Sequence, residues 1–225
     1  MNDLNKKAWA GLLRFAIALA ASVFLPAWTL DYWQAWILLA LFSASSLAIT
    51  IYLMKKDPKL LARRMNAGPG AEKEKRQKII QFLAAIAFIT VFVFSAMDRR
   101  LAWSRVPLYG VAAGDILVAL GFLIVFFVFK ENTFASSIVE VGAEQKIIST
   151  GLYAFVRHPM YIGALVMLLG VPLALGSWWG LFTIVPMALV IVWRLLDEEK
   201  FLAKNLPGYS EYRNQVSYRL VPFVW

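Results

Sequence analysis

The chain has 225 residues, of which 60% are hydrophobic and 16% charged, with no cysteine and a formal net charge of +9. A soluble domain does not combine so much apolar surface with so few charges. Without cysteine the chain has no disulfide, thiolate metal site or thiol nucleophile. No basic face interleaved with aromatic residues lies outside the apolar runs, so the positive balance indicates basic membrane-protein loops and no nucleic-acid partner. These properties predict an integral membrane protein.

Residues 1–130 contain four apolar runs that are long enough to cross a bilayer. Between the second and third runs, the basic loop 55–78 holds nine basic residues against three acidic ones. The positive-inside rule predicts that this loop and the N-terminus are cytoplasmic. The four runs extend roughly over Ala8 to Trp28, Trp33 to Met54, Ile79 to Met97 and Val111 to Phe129.

Two shorter apolar runs follow, Met160 to Leu175 and Trp178 to Trp193, each with one proline. They predict a tight hairpin of two helices that crosses the membrane fully or nearly so. The amphipathic segment from Leu195 to Trp225 predicts C-terminal helices on the cytoplasmic side. The predicted fold is all-α: a multi-pass transmembrane helical bundle of five to six spans, the last two a hairpin. Both termini are predicted on the cytoplasmic face. The two polar clusters at the ends of the hairpin, Gln145 to Pro159 and Arg194 to Glu199, are predicted on the same face.

The stretch from Gln145 to Gly163 holds the protein's only histidine and lies at the border of two apolar segments. Backbone freed from a helix at membrane depth must be buried in protein or line a cavity, so this stretch is a candidate active site. His158 precedes a proline, which favours extended backbone and aims its side chain and the next helix's free N–H groups into a pocket. A hydrogen-bonded cap is the structural alternative for His158, and small-residue helix packing is the alternative for Gly163.

Arg194 and Glu198 lie four residues apart, on one helix face, directly after an apolar run. An ionisable side chain there is a functional candidate, although a surface ion pair remains the alternative. With one histidine and no cysteine, no metal site is predicted. The chain also lacks the glycine-rich motif of a Rossmann-type nucleotide site and a Ser-His-acid set in a helpful context.

These residues together resemble the isoprenylcysteine carboxyl methyltransferase family, which forms one membrane superfamily with the phospholipid N-methyltransferases. The resemblance covers about the last 95 residues, and the short ending from Tyr218 is similar to that of prokaryotic members, which implies a prokaryotic cell membrane. The matching elements, in chain order, are Asn132-Thr133-Phe134, Ser149 to Tyr153, Arg157 to Gly163, Glu198-Glu199, and Gly208-Tyr209 with Tyr212.

The resemblance implies that residues 131–225 form a catalytic region with a pocket for S-adenosylmethionine, which leaves as S-adenosylhomocysteine, and that no metal takes part. It implies catalytic roles for Arg194, Glu199 and Tyr212, with Arg194 placed near the acceptor. The donor contacts that it implies are Gln145, Lys146, Ile147, Ile148, Tyr153, His158, Pro159, Met160, Tyr161 and Glu198.

The expected activity is carboxyl O-methylation of a lipid-like, isoprenylcysteine-type acceptor that enters from the bilayer. An acceptor carboxylate is already ionised and needs no base, and Arg194 could hold it by a bidentate pair. N-methylation of a phospholipid headgroup is the alternative, in which Glu199 or His158 would remove a proton. A sterol-type membrane reductase with a nicotinamide cofactor and a non-catalytic membrane scaffold are further alternatives.

Overall fold

The computed structural model describes residues 3–142 and 144–225, and these contain eight α-helices and no β-strand. Short 3-10 helices at Gly151–Ala154 and Trp179–Thr183 precede α6 and α7. The predicted all-α fold is confirmed. The helices are α1 Asp3–Ala27, α2 Trp33–Lys56, α3 Pro58–Met65, α4 Lys75–Leu101, α5 Leu108–Glu131, α6 Pro159–Ala174, α7 Ile184–Asn205 and α8 Tyr209–Gln215.

Five helical stretches are long and apolar enough to span a membrane: α1, α2, α4, α5 and Trp179–Asn205, which includes α7. The sixth apolar helix, α6, has 16 residues. At 1.5 Å per residue it is about 24 Å long, which is less than the roughly 30 Å of a bilayer's hydrocarbon core. The protein is therefore a multi-pass helical bundle of the kind that spans membranes, with α6 as its short member.

The connections between helices gather at two ends of the bundle. The basic end carries the loop 55–78, the connection 132–158 and the segment that follows α7. At the far end, the buried carboxylate of Asp98 accepts hydrogen bonds of 2.5 Å from the hydroxyls of Ser104 and Ser177. These bonds join the end of α4 to the turn after α6, so the far end is fixed by a buried polar cluster.

Helix α6 packs chiefly along α5, while α7 packs along α4. A Cβ on Gly121 would lie 2.6 Å from the carbonyl oxygen of Gly163, and one on Gly170 would lie 2.5 Å from that of Gly114. Glycine lets the two backbones approach closely, as in other membrane helix pairs. The structural alternative for Gly163 is therefore the correct one. The two helices of the predicted hairpin follow each other along the chain, but each packs mainly against an earlier helix.

Helix α7 reaches the basic end with one apolar face directed at α6. Leu195 is fully buried on this face, and Ile191 and Leu195 share a cluster with Leu168 and Tyr161 of α6. The packing fixes the rotation of α7, so Arg194, Glu198 and Glu199 meet the start of α6.

Candidate functional site

A cavity of about 110 Å³ lies at the basic end. Its walls come from the connection 132–148, the 3-10 helix, the start of α6, the end of α7, and α8. Ten of the thirteen residues that the sequence predicts for the site line it: Gln145, Lys146, Ile147, Ile148, Tyr153, His158, Met160, Tyr161, Glu198 and Tyr212.

Pro159, Arg194 and Glu199 are the predicted site residues that do not line the cavity. Pro159 is the first residue of α6, where its missing N–H costs no hydrogen bond. His158 is the residue before the helix, with φ −127° and ψ 60°, which is neither helical nor the extended backbone that was predicted, and its N–H donates to the carbonyl of Arg219 at 3.0 Å. The His-Pro pair therefore begins α6 as predicted and binds the C-terminal segment through its backbone.

Glu199 is buried among three basic side chains. Its carboxylate lies 2.8 Å from Arg157 Nε, 2.9 Å from Arg219 Nε and 3.3 Å from His158 Nε2. The Arg157 guanidinium also donates to the carbonyls of Arg213 and Val216. Since both Glu199 oxygens are committed to these partners, Glu199 joins α7 to the start of α6 and to the C-terminal segment. It is badly placed to act as a base on an acceptor.

Glu198 has different surroundings, although it is the neighbouring residue. It lines the cavity and accepts a 2.5 Å hydrogen bond from the hydroxyl of Tyr161. The same hydroxyl accepts from Nε of Arg194 at 3.1 Å. Tyr161 thus bridges the cavity carboxylate and an arginine that lies behind it.

Arg194 is held by groups of the protein itself. Nη1 donates to the Gln77 side chain at 3.2 Å, and Nη2 lies 3.0 Å from both the carbonyl of Ser137 and the carboxylate of Glu72. With the bond to Tyr161, four of its five N–H groups have partners. A bidentate pair between Arg194 and an acceptor carboxylate would have to displace Glu72.

Glu72 is a site residue that the sequence analysis missed. Its side chain is fully buried, and besides Arg194 it accepts from the backbone N–H of Val139 at 3.1 Å and from Gln81 Nε2 at 3.1 Å. It therefore fixes both Arg194 and the part of the connection 132–142 that lines the cavity around Val139. In the sequence its one distinguishing mark is that it is an acid within a basic run.

Helix α3 covers the connection 132–142 with two adjacent arginines. Arg63 donates to the carbonyl of Thr133 at 2.6 Å and lies 4.8 Å from the Phe134 ring. Arg64 donates to the carbonyl of Ser136 at 3.2 Å. The sequence analysis also missed these two residues, because a basic helix after a membrane span is usually a solvated face.

Three tyrosines shape one wall of the cavity. Tyr153 accepts from Asn132 Nδ2 at 2.9 Å, and Tyr212 donates to the carbonyl of Tyr153 at 2.8 Å. Burial raises the pKa of Tyr153 to about 12, and burial likewise raises the pKa of Tyr209 and of Tyr212. These phenols therefore stay neutral at neutral pH and serve as hydrogen-bonding aromatic walls.

The chemistry of the lining suits a cationic ligand with an aromatic part. Glu140 and Glu198 supply carboxylates, the tyrosines supply ring faces, and Ile147 and Leu206 supply apolar surface. Two cations also line the cavity: Arg157, which is paired with Glu199, and Lys146, which is exposed. A cation is attracted to both carboxylates and ring faces. Within residues 3–142 and 144–225, no cluster of three or more His, Asp or Glu side chains could hold a metal ion.

Comparison with known proteins finds a matching family and a similar protein. A sequence model of the family described as phospholipid methyltransferase matches residues 109–207. The mouse (Mus musculus) protein Delta(14)-sterol reductase TM7SF2 is 29% identical over 90 residues, which is 39% of this chain and 22% of that protein. The chain thus spans about a fifth of the length of this curated relative.

The family match contains nearly all of α5 and the whole of α6 and α7, together with most of the cavity wall. It lies in the superfamily to which the isoprenylcysteine carboxyl methyltransferases belong, so it supports the predicted resemblance at that level. Glu72 and the two arginines of α3 fall outside the matched residues. Residues 109–207 of this membrane protein are thus similar to a family of membrane methyltransferases.

Proposed function

We propose that the protein is an integral membrane methyltransferase that uses S-adenosylmethionine and methylates a lipid-like acceptor arriving from the bilayer. The observation that carries the proposal is the cavity at the ends of the apolar helices, which gathers ten of the thirteen residues predicted for the site. The match of residues 109–207 to the phospholipid methyltransferase family supports it. The basic loop 55–78 at the same end supports a cytoplasmic position for this cavity by the positive-inside rule.

The residues around the cavity suit this donor. When bound, S-adenosylmethionine supplies a methyl group on a positively charged sulfur, which leaves as a neutral thioether. Tyr153 and Tyr161 would offer ring faces to that charge, and Glu198 would accept from the donor's amino group or ribose. Backbone groups around Ile147 and Ile148 would bind the adenine edge.

Carboxyl O-methylation is the first candidate for the reaction, since an ionised carboxylate needs alignment and a dry site but no base. In this mechanism Arg194 acts as a positioning residue: held by Glu72, it orients the hydroxyl of Tyr161, which in turn orients Glu198. The acceptor carboxylate then needs another cation.

N-methylation of a phospholipid headgroup amine is the second candidate, and the position of Glu198 favours it. Glu198 lines the cavity, and its Oε1 has no hydrogen-bond partner among the described residues, so it can take a proton from the amine. Transfer of a tritiated methyl group distinguishes the candidates: mild base releases label from a methyl ester and leaves a methylated amine intact.

A sterol-type reductase is the third candidate, because the mouse relative is named as one. Reduced nicotinamide dinucleotide would then protect the protein against unfolding, and S-adenosylhomocysteine would not.

Titration calorimetry of S-adenosylhomocysteine into detergent-purified protein tests the proposal. We expect binding by the wild type and a loss of tenfold or more, about 1.4 kcal/mol, in His158→Ala and in Glu198→Ala. Glu211→Ala, on the exposed face of α8, is the control and should bind normally. No binding by the wild type in several detergents and lipids would overturn the methyltransferase and favour the reductase.

A further inference from the structure

The cationic side chains near the cavity differ in how they are neutralised. Arg157 is paired with Glu199, and Arg194 is paired with Glu72. Arg64 has no such partner: among the described residues, no carboxylate lies within 4.0 Å of its guanidinium. A half-buried guanidinium without a counter-ion is costly, so a bound anion at this point would be stabilising.

The guanidinium of Arg64 lies beside two residues that line the cavity, although Arg64 is not itself part of the lining. Its Nη1 lies 3.2 Å from the carbonyl of Ser136 and 3.9 Å from Sδ of Met160, and both of these residues line the cavity. Its carbon Cζ lies 4.9 Å from the ring centre of Phe129, at the end of α5. Nε and Nη2 have no hydrogen-bond partner among the described residues, so most of the five N–H donors are free for a ligand.

The position of Arg64 also suits a lipid headgroup. Helix α3 begins directly after α2 ends at Lys56, at the same end of the bundle as the cavity. That level corresponds to the headgroup region when the apolar parts of α2 and α5 lie in the hydrocarbon core. An amphiphile whose chain lies along these helices would carry its polar group to Arg64.

From these observations we infer that Arg64 is the anion subsite for the acceptor and binds the carboxylate or phosphodiester of a lipid-like molecule. The inference rests on the proposed function. It assigns the binding of the acceptor's anionic group to Arg64, because Arg194 would have to give up its pair with Glu72 to bind that group. A guanidinium suits either group because its paired N–H donors match two oxygens. A carboxylate would be aligned for methylation itself, whereas a phosphodiester would be held while the headgroup amine faces Glu198.

The electrostatics of Arg64 agree with this assignment. Burial, and next the charge of Arg194, lowers the pKa of Arg64 to about 10. The side chain is still charged at neutral pH, but its charge is under-compensated. A bound anion would raise this pKa again.

The test compares Arg64→Gln and Arg64→Lys with Arg63→Gln, a control on the same helix that binds the same connection through Thr133. Thermal unfolding is measured with two probe pairs: N-acetyl-S-farnesylcysteine against its carboxamide, and lysophosphatidylethanolamine against monooleoylglycerol. We expect the wild type and Arg63→Gln to prefer, at least tenfold, the member of one pair that carries the carboxylate or the phosphodiester. Arg64→Gln should lose that preference and Arg64→Lys should keep part of it. The pair that responds identifies the anion as carboxylate or phosphodiester.

Affinity for S-adenosylhomocysteine, measured on the same variants, separates the inference from the proposed function. All three variants should stay within twofold of the wild type. The inference is overturned if the wild type discriminates neither pair, or if Arg64→Gln still discriminates. It is also overturned if Arg63→Gln and Arg64→Gln weaken S-adenosylhomocysteine binding alike, because α3 would then only support the connection. A wild type that prefers an anionic amphiphile through Arg64 but does not bind S-adenosylhomocysteine would refute the methyltransferase and retain the anion site.

Discussion

Two buried polar clusters, one at each end of the bundle, differ in how completely the protein satisfies them. At the far end, Asp98 faces donors that belong to the protein: the N–H and hydroxyl of Ser104 and the hydroxyl of Ser177. At the basic end, Glu199 and Glu72 are likewise paired with arginines. Beside the cavity, however, some hydrogen-bonding groups have no partner among the described residues. Those groups include Oε1 of Glu198 and two nitrogens of Arg64. Full satisfaction at the far end is a property of the Asp98 cluster alone, because Gln34 Oε1 and Asp115 Oδ1 are buried there without a hydrogen-bond partner among the described residues.

This difference separates structure from function in a bundle whose helices look alike. Buried polar groups that satisfy each other hold elements together. Groups left over beside a cavity mark the place where a ligand completes the set. Variants of the paired groups should therefore affect stability, and variants of the leftover groups should affect binding.

The largest effect is expected for Glu199→Ala. It leaves Arg157 buried without its carboxylate and also frees His158 and Arg219. Removal of one partner of a buried ion pair costs about 3–5 kcal/mol. Unfolding in mixed micelles should report a loss of this size, together with lost ligand binding. Unchanged stability would show that the cluster does not hold the C-terminal segment.

Glu72→Gln should produce the next largest effect. The amide keeps an acceptor for Val139 but removes the charge that holds Arg194, and hydrogen bonds to charged groups are worth about 1.5–3 kcal/mol. We expect methyl transfer to fall at least tenfold in kcat while affinity for S-adenosylhomocysteine changes less than threefold, because Glu72 acts through Arg194.

Glu74→Gln is the matched control for Glu72, because it lies two residues away and is exposed. It should retain wild-type stability and rate. Equal effects of the two substitutions would mean that general loop charge, and no specific pair with Arg194, is responsible.

The fold was accessible from the sequence because its causes are local. Apolar run length gives the spans, and the His158-Pro159 pair gives the start of α6, since proline restricts the residue before it. The packing partner of α6 was not accessible, because the complementary glycines lie on α5, more than forty residues earlier.

The site was accessible only in part, for two physical reasons. Glu198 and Glu199 are about 100° apart around an α-helix, so the sequence places both near the site but cannot say which faces the cavity. Glu72 and Arg64 reach the site through contacts across the bundle with Val139 and Ser136, and local patterns do not encode such contacts. Both residues lie in the basic loop 55–78, where nothing in the sequence distinguishes them from solvent-exposed charged residues.

At the far end, Asp98→Asn should have a smaller effect than either substitution above. The amide retains one oxygen acceptor, and its NH₂ can donate to the hydroxyl of Ser104 or Ser177, so the loss is about 1 kcal/mol. Calorimetry should give wild-type affinity for S-adenosylhomocysteine. Lost affinity would contradict the separation of the two ends.

Tyr161→Phe is expected to have a small effect on stability and is the sharpest test of the comparison. It removes a hydroxyl that joins the paired Arg194 to the leftover carboxylate of Glu198. Hydrogen bonds to charged groups are worth about 1.5–3 kcal/mol, and the loss should lie at the low end, because Arg194 keeps its other partners and the ring that packs against Leu168 and Leu195 is retained. If the hydroxyl orients Glu198, kcat should fall about tenfold in protein that is still folded. A loss of stability that accounts for the whole loss of rate would instead show that Tyr161 is a structural residue. Glu198 would then have one oxygen in a structural bond and one oxygen left for a ligand.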